Sequence, residues 1–282
     1  MLRLVEASRV LREAVPDELV PLVWAITLLG SAKFLVLGLS LVYWNVEEYR
    51  EELLALVSVG FVGLAVTLAL KYGFDLPRPP AAVQRYPVEP SPVGFPSGHA
   101  IAATTIYGGA LLAFDRYRDP RAVAGVAGLV VAVSLSRVVL GVHYLGDVVA
   151  GVVVGLVVLG GATAVFERGA VSGFAAAAVL SVPALVTTGG TADAALALGG
   201  SIGGLAGAAR VPRSVPLTSR SGRALLNVCG VVFVVALMGI EELVEGMVPV
   251  VTAVNLVLAL GIVAMPLVVD HAPLPTVRAT DR

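Results

Sequence analysis

Residues 129–158 read LVVAVSLSRVVLGVHYLGDVVAGVVVGLVV. Two long apolar runs flank one short break, and the stretch carries a single guanidinium (Arg137), a single imidazole (His143) and a single carboxylate (Asp147). Runs this apolar predict two helices that cross a bilayer, with the break at one membrane face. A guanidinium placed inside such a run is costly, so Arg137 reads as functional. His143 and Asp147 are four residues apart at the start of the second helix, which puts them on one face, one turn apart.

The rest of the chain has the same character. Of its 282 residues, 57% are hydrophobic and only 14% charged, against about 25% charged in a soluble domain. The mean hydropathy is +0.92. Nine apolar runs, near 20–43, 53–70, 98–114, 121–140, 147–166, 171–187, 192–209, 224–240 and 248–269, predict an all-α polytopic bundle. A net charge of −1 offers no basic field for nucleic acid. The single cysteine, Cys229, cannot form an intramolecular disulfide and is expected as a small buried hydrophobe. No Cys/His cluster suggests a metal, and nothing points to a cofactor. Residues 2–15 mix apolar and charged side chains at helical spacing (Leu4, Ala7, Val10, Leu11, Ala14), which predicts an amphipathic helix at the interface over 1–18 rather than a cleaved signal.

Orientation follows from the basic residues. Arg50, Arg116, Arg118, Arg121, Arg168, Arg210, Arg213, Arg220, Arg223, Arg278 and Arg282 would share one side, eleven against Arg3, Arg9 and Arg12 on the other. The first side is expected in the cytoplasm, with Asp115–Arg121 and Arg210–Arg223. The connector from Lys71 to Pro96 and the His143 region then face outward. Seven prolines between Tyr72 and Pro96 make that connector a stiff loop. Gly199, Gly200, Gly203, Gly204 and Gly207 form small-xxx-small steps suited to close helix packing, within the chain or between copies.

Two further clusters bring chemistry to the same outward side. Lys71-Tyr-Gly-Phe-Asp-Leu-Pro-Arg78-Pro79 ends one span, and Pro96-Ser97-Gly98-His99 opens the next. Ser97 is a good N-cap, and the first turn of a helix presents N–H donors that bind phosphate. Gly98 admits a ligand close to the backbone, and His99 beside it could protonate a leaving oxygen. Taken alone, Pro-Ser-Gly-His is a capped helix with a chance histidine, and a His–Asp pair can simply tie a helix to a loop. Together with Lys71, Arg78 and Arg137, they make a set of fixed cations suited to the equatorial oxygens of a phosphoryl group in flight.

The three clusters resemble the motifs of the type-2 phosphatidic acid phosphatase superfamily, K-x6-R-P, P-S-G-H and S-R-x5-H-x3-D. Lys71, Arg78, Pro79, Pro96, Ser97, Gly98, His99, Ser136, Arg137, His143 and Asp147 fill every defined position. The resemblance implies His143 as the nucleophile forming a phosphohistidine, Asp147 as its orienting partner and His99 as general acid. It implies phosphate binding by Lys71, Arg78, Ser97, Gly98 and Arg137, with no metal and no cofactor. It implies a six-helix core, of which five spans and the N-terminal helix can be counted here.

The resulting expectation is a phosphatase-like membrane core of five to six helices over 19–168, and about four additional transmembrane helices over 169–282. The expected activity is hydrolysis of a lipid phosphate or isoprenyl diphosphate at the extracytoplasmic face of the cell membrane. A lipid phosphotransferase using the same site, or a transporter or lipid-binding protein with an idle site, are the alternatives. The sequence leaves the lipid, the role of the last four helices and the oligomeric state open.

Overall fold

The computed structural model describes residues 3–85, 91–211, 220–244 and 246–270. Arg213, Arg278 and Arg282 of the charge count, and Pro87 and Pro90 of the connector, lie outside them. Among the described residues there are eleven α-helices and no strand. They are α1 (Val5–Glu13), α2 (Val20–Leu28), α3 (Ala32–Asn45), α4 (Arg50–Phe74), α5 (Gly98–Ala113), α6 (Pro120–Val139), α7 (Leu145–Arg168), α8 (Ala170–Thr187), α9 (Ala192–Arg210), α10 (Arg220–Leu243) and α11 (Val248–Asp270).

Each of the nine apolar runs is helical. Among the described residues, seven helices are long and apolar enough to cross a membrane, or up to eight if the bent pair α2–α3 is one span. That pair bends by 53°, where the 20–43 run predicted one continuous helix. The break falls at Leu29–Ser31, where Ser31 caps α3 by accepting from Phe34 N. α5 has 16 residues, somewhat shorter than the ~20 a span usually needs.

The helix ends follow local chemistry. α4 stops where Asp75 turns into the left-handed region (φ 48°) and its N–H returns to Lys71 O at 2.9 Å; Pro77, Pro79 and Pro80 then forbid more helix. α6 begins with Asp119, whose side chain accepts from Arg121 N and Ala122 N, and Pro120 follows at N1. The hydrogen bond from Arg116, with those two backbone donors, holds the Asp119 carboxyl below its ordinary value.

α4 is central and packs against α5, α7, α8 and α9. The C-terminal helices join the core directly. Trp44 Nε1 donates to Ile262 O at 3.0 Å and Tyr43 OH to Val263 O at 3.3 Å, tying the end of α3 to α11. The glycine stripe of α9 meets α11 of the same chain. A Cβ at Gly199 or Gly203 would lie 2.2 Å from Thr252 O or Leu256 O, so these two backbones touch and no side chain fits between them. The outward faces are apolar: Val149, Val153, Leu156 and Val157 on α7, and Val228, Val232 and Val235 on α10, are exposed, as surfaces meant for lipid are. Cys229 is exposed on α10, a correction to its expected burial, because a span with so little of its surface packed offers lipid rather than protein to a small apolar side chain.

Candidate active site

The connector after α4 is built to hold Arg78 still. Gly94 N donates to Leu76 O at 2.7 Å and Arg78 N to Pro92 O at 3.1 Å, folding the loop back on itself. The Arg78 guanidinium is fixed by Ser91 O (Nε, 2.7 Å) and Val142 O (3.0 Å), and its terminal nitrogen lies 3.0 Å from His143 Nε2. A guanidinium only donates, so His143 Nε2 accepts and its neutral ring carries the proton on Nδ1. Nδ1 faces Asp147 Oδ2 at 3.6 Å. The face-sharing pair expected from four-residue spacing is therefore present, with Nε2 on the Arg78 side.

α6 ends just before this pair. Arg137 O receives the N–H of both Val142 (3.2 Å) and His143 (3.3 Å), and Gly141, with φ +72°, makes the turn. A Cβ on Gly141 would sit 2.2 Å from Val83 O, so the connector and the His143 loop touch backbone to backbone. Arg85 N donates to Leu140 O beside it. The Arg137 side chain is fully buried and donates to Thr27 Oγ1 of α2 at 2.9 Å. Ser136 bonds back to Val133 O in its own helix.

The start of α5 joins the same cluster through the backbone, since Ser97 N donates to Asp147 O at 3.0 Å. Ser97 occupies the N-cap position, yet its side chain makes no cap bond. The hydroxyl is buried and has no hydrogen-bond partner among the described residues, which suits a group reserved for a ligand oxygen. Lys71, Gly98 and His99 line one cavity. Lys71 is only 7% exposed, and its Cε lies 4.0 Å from where a Gly98 Cβ would be. His99 is half-buried and packs against Gly30 at the α2–α3 break. The structure thus groups Arg78, His143 and Asp147 tightly, sets Lys71, Gly98 and His99 around the adjoining cavity, and links the two groups through Ser97. Arg137 stands beside them on α6.

One participant was not foreseen. Arg3, ahead of α1, donates through Nε and a terminal nitrogen to both oxygens of Asp147, each at 2.8 Å. Its other terminal nitrogen donates to Pro77 O at 2.7 Å, and the guanidinium lies 4.5 Å over the Tyr144 ring. α1 also caps α7: Leu145 N donates to the buried Ser8 hydroxyl (2.8 Å) and Gly146 N to Arg3 O (3.1 Å). The amphipathic helix expected at the interface is thereby part of the site's scaffold. Its apolar residues Leu4, Val5 and Val10 are exposed, and the buried residue of the helix is the polar Ser8, so the apolar spacing gave no sign of this contact.

One family model and one solved structure are similar to the chain. Residues 52–170 match the family model of the PAP2 superfamily, a stretch running from the first turn of α4 to the start of α8. The crystal structure of Aquifex aeolicus LpxE is similar at 21% sequence identity, with a TM-score of 0.47, over 56% of this chain and 93% of that one. No curated protein matches the chain. All three motifs, from Lys71 to Asp147, fall inside the stretch that is similar to the PAP2 superfamily, and the helices that carry them belong to a bundle with seven candidate membrane spans among the described residues.

Proposed function

We propose that the protein is a metal-independent lipid phosphatase working through a phosphohistidine on His143, with its site at the extracytoplasmic face. The observation that carries this reading is the 3.0 Å approach of the Arg78 guanidinium to His143 Nε2. It marks Nε2 as a lone-pair nitrogen held beside a cation that a phosphate would share, with the ring proton toward Asp147.

The substrate phosphoryl group is held by Lys71, Arg78 and Arg137, by the Ser97 hydroxyl and by the first-turn N–H groups at Gly98. Nε2 of His143 attacks phosphorus, the bond from phosphorus to the lipid oxygen breaks, and His99 delivers a proton to that oxygen. His99 then takes a proton from water, whose oxygen attacks phosphorus and breaks the P–N bond, releasing inorganic phosphate and restoring Nε2. Three cations supply the charge stabilisation that a metal supplies elsewhere. The outward placement is supported by Arg50, Arg116, Arg118, Arg121, Arg168, Arg210 and Arg223, which belong to the opposite end of the bundle.

The experiment is phosphate release from a panel of lipid phosphates and diphosphates by detergent-purified protein in EDTA. Release that His143→Ala abolishes supports the reading. Strict dependence on Mg²⁺, or equal release by the variant, overturns it.

A further inference from the structure

The phosphate end of the site opens into a cavity of ≈ 300 Å³ that runs along α4 from Lys71 to Leu54. Those residues are 17 apart, about 25 Å at 1.5 Å per helical residue. Lys71, Gly98 and His99 form one end, and Tyr43 lies at the other. Between them the α4 wall is almost wholly apolar. The facing wall comes from helices outside the family match: Leu196 and Gly200 on α9, and Leu258, Ala259 and Ile262 on α11. Its width is set by backbone contacts, since α9 touches α11 at Gly199 and Gly203 and α11 is pinned to Tyr43 and Trp44 by their hydrogen bonds.

Apart from Ser40, Thr67, Asp193 and Asn255 the lining between is apolar, and a lysine and a helix start at one end of such a chamber fit an amphiphile with an anionic head. The chamber's length approaches the ~30 Å thickness of the hydrocarbon core, beyond the depth of one leaflet. Its volume, spread over that length, is one hydrocarbon chain wide.

We propose that this chamber seats the single long hydrocarbon chain of the substrate, and that α9 and α11 make the protein selective for single-chain phosphates or diphosphates over two-chain glycerolipid phosphates. The inference rests on the phosphatase reading above and assigns the C-terminal helices a role in it.

The test compares kcat/KM of the full-length protein on a long-chain prenyl phosphate, a diacyl phosphatidate and short, water-soluble phenyl phosphate. Ala259→Trp puts an indole into the chamber; Val257→Trp, on the outward face of the same helix, is the control. Ala259→Trp is expected to lower kcat/KM on the prenyl phosphate by about tenfold or more, as steric pocket changes do, and to leave phenyl phosphate within about twofold. Equal loss on both substrates, no loss on the prenyl phosphate, or wild-type preference for the phosphatidate overturns the proposal. A prenyl phosphonate with a diazirine at its tail end supplies a readout independent of turnover and of any variant. Its label is expected around Tyr43 and on α11, and label confined to the outward face of α7 refutes the chamber. Failure of the wild type to hydrolyse even phenyl phosphate would instead sink the phosphatase reading, and the crosslink would still decide whether the chamber takes the chain.

Discussion

Arg3 and Asp147 are 144 residues apart in sequence and joined by two parallel hydrogen bonds of 2.8 Å. Such fork-to-carboxylate pairs are among the stronger charge-assisted contacts, and Asp147 is fully buried. Through this pair the aim of Asp147, and so the orientation of His143, depends on a helix that enters the fold from outside the three motifs. Arg3 also holds Pro77 O, next to the residue that carries the guanidinium facing His143.

Arg3→Ala is expected to lower kcat by up to ~100-fold with KM within about twofold, because a misplaced catalytic group costs rate rather than binding. Arg3→Lys should recover only part of the loss, lacking the planar fork. Steady-state kinetics on protein with an unchanged melting temperature checks this. A loss of folded protein with unaltered kcat per folded molecule would assign Arg3 a structural role alone.

His143 and His99 should separate by leaving group. His143→Ala removes the covalent step and is expected to abolish turnover of every substrate. His99→Ala should cost about 10²–10⁴-fold on an alkoxide leaving group and distinctly less on a diphosphate, whose departing phosphate needs less protonation. Identical losses on monophosphate and diphosphate esters of one alcohol would remove His99 from the role of acid.

Vanadate, which adopts the five-coordinate geometry of the transferring phosphoryl group, should inhibit at concentrations well below the substrate KM. Arg78→Ala should weaken that inhibition, since this guanidinium is placed to hold the equatorial oxygens. Inhibition constants for wild type and variant decide it; an unchanged constant in Arg78→Ala contradicts the assignment.

Gly141→Ala should destabilise the protein by more than ~1 kcal/mol, because a side chain at φ +72° is strained and its Cβ would enter Val83 O. Relief requires the connector to move away from His143, so activity should fall with the melting temperature. A thermal melt equal to wild type would mean that this backbone contact is dispensable.

Single cysteines at Ala82 and Tyr117, in a Cys229→Ala background, report the orientation. Both positions are exposed. In intact cells an impermeant maleimide is expected to label position 82 and not 117. The reverse pattern would place the substrate pool in the cytoplasmic leaflet.

The three clusters were legible because charge is so scarce in this chain that each buried cation or imidazole stands out against Ala, Val and Gly. What escaped was everything decided by distant partners. The periodicity of α1 shows an amphipathic helix whose apolar Val5 and Val10 stay exposed, and no local pattern connects Arg3 to a carboxylate at 147 or Ser8 to the first turn of α7. The bend between α2 and α3 escaped for a different reason: hydropathy averages over the run, and Leu29-Gly30-Ser31 is a small interruption in it. Ser97 takes the N-cap position that its residue type suggests, but its hydroxyl makes no cap bond, and the bond from its backbone N–H to Asp147 O has no local signature. The glycine stripe of α9 was open between contact within the chain and contact between copies, and only the position of α11 settles where it packs.

α4 carries a buried cation near each end. At one, Arg50 is 4% exposed and donates to Tyr43 O (3.2 Å) and Trp44 O (3.5 Å); at the other stands Lys71. A span usually meets a thicker or thinner bilayer by tilting or by letting its terminal cations snorkel. With Arg50 bonded inside the protein and Lys71 turned into the cavity, α4 has neither adjustment to make. The depth of the phosphate site is then a property of the protein, and a change in membrane thickness must be absorbed by the lipids around it or by the loosely packed outer helix α10.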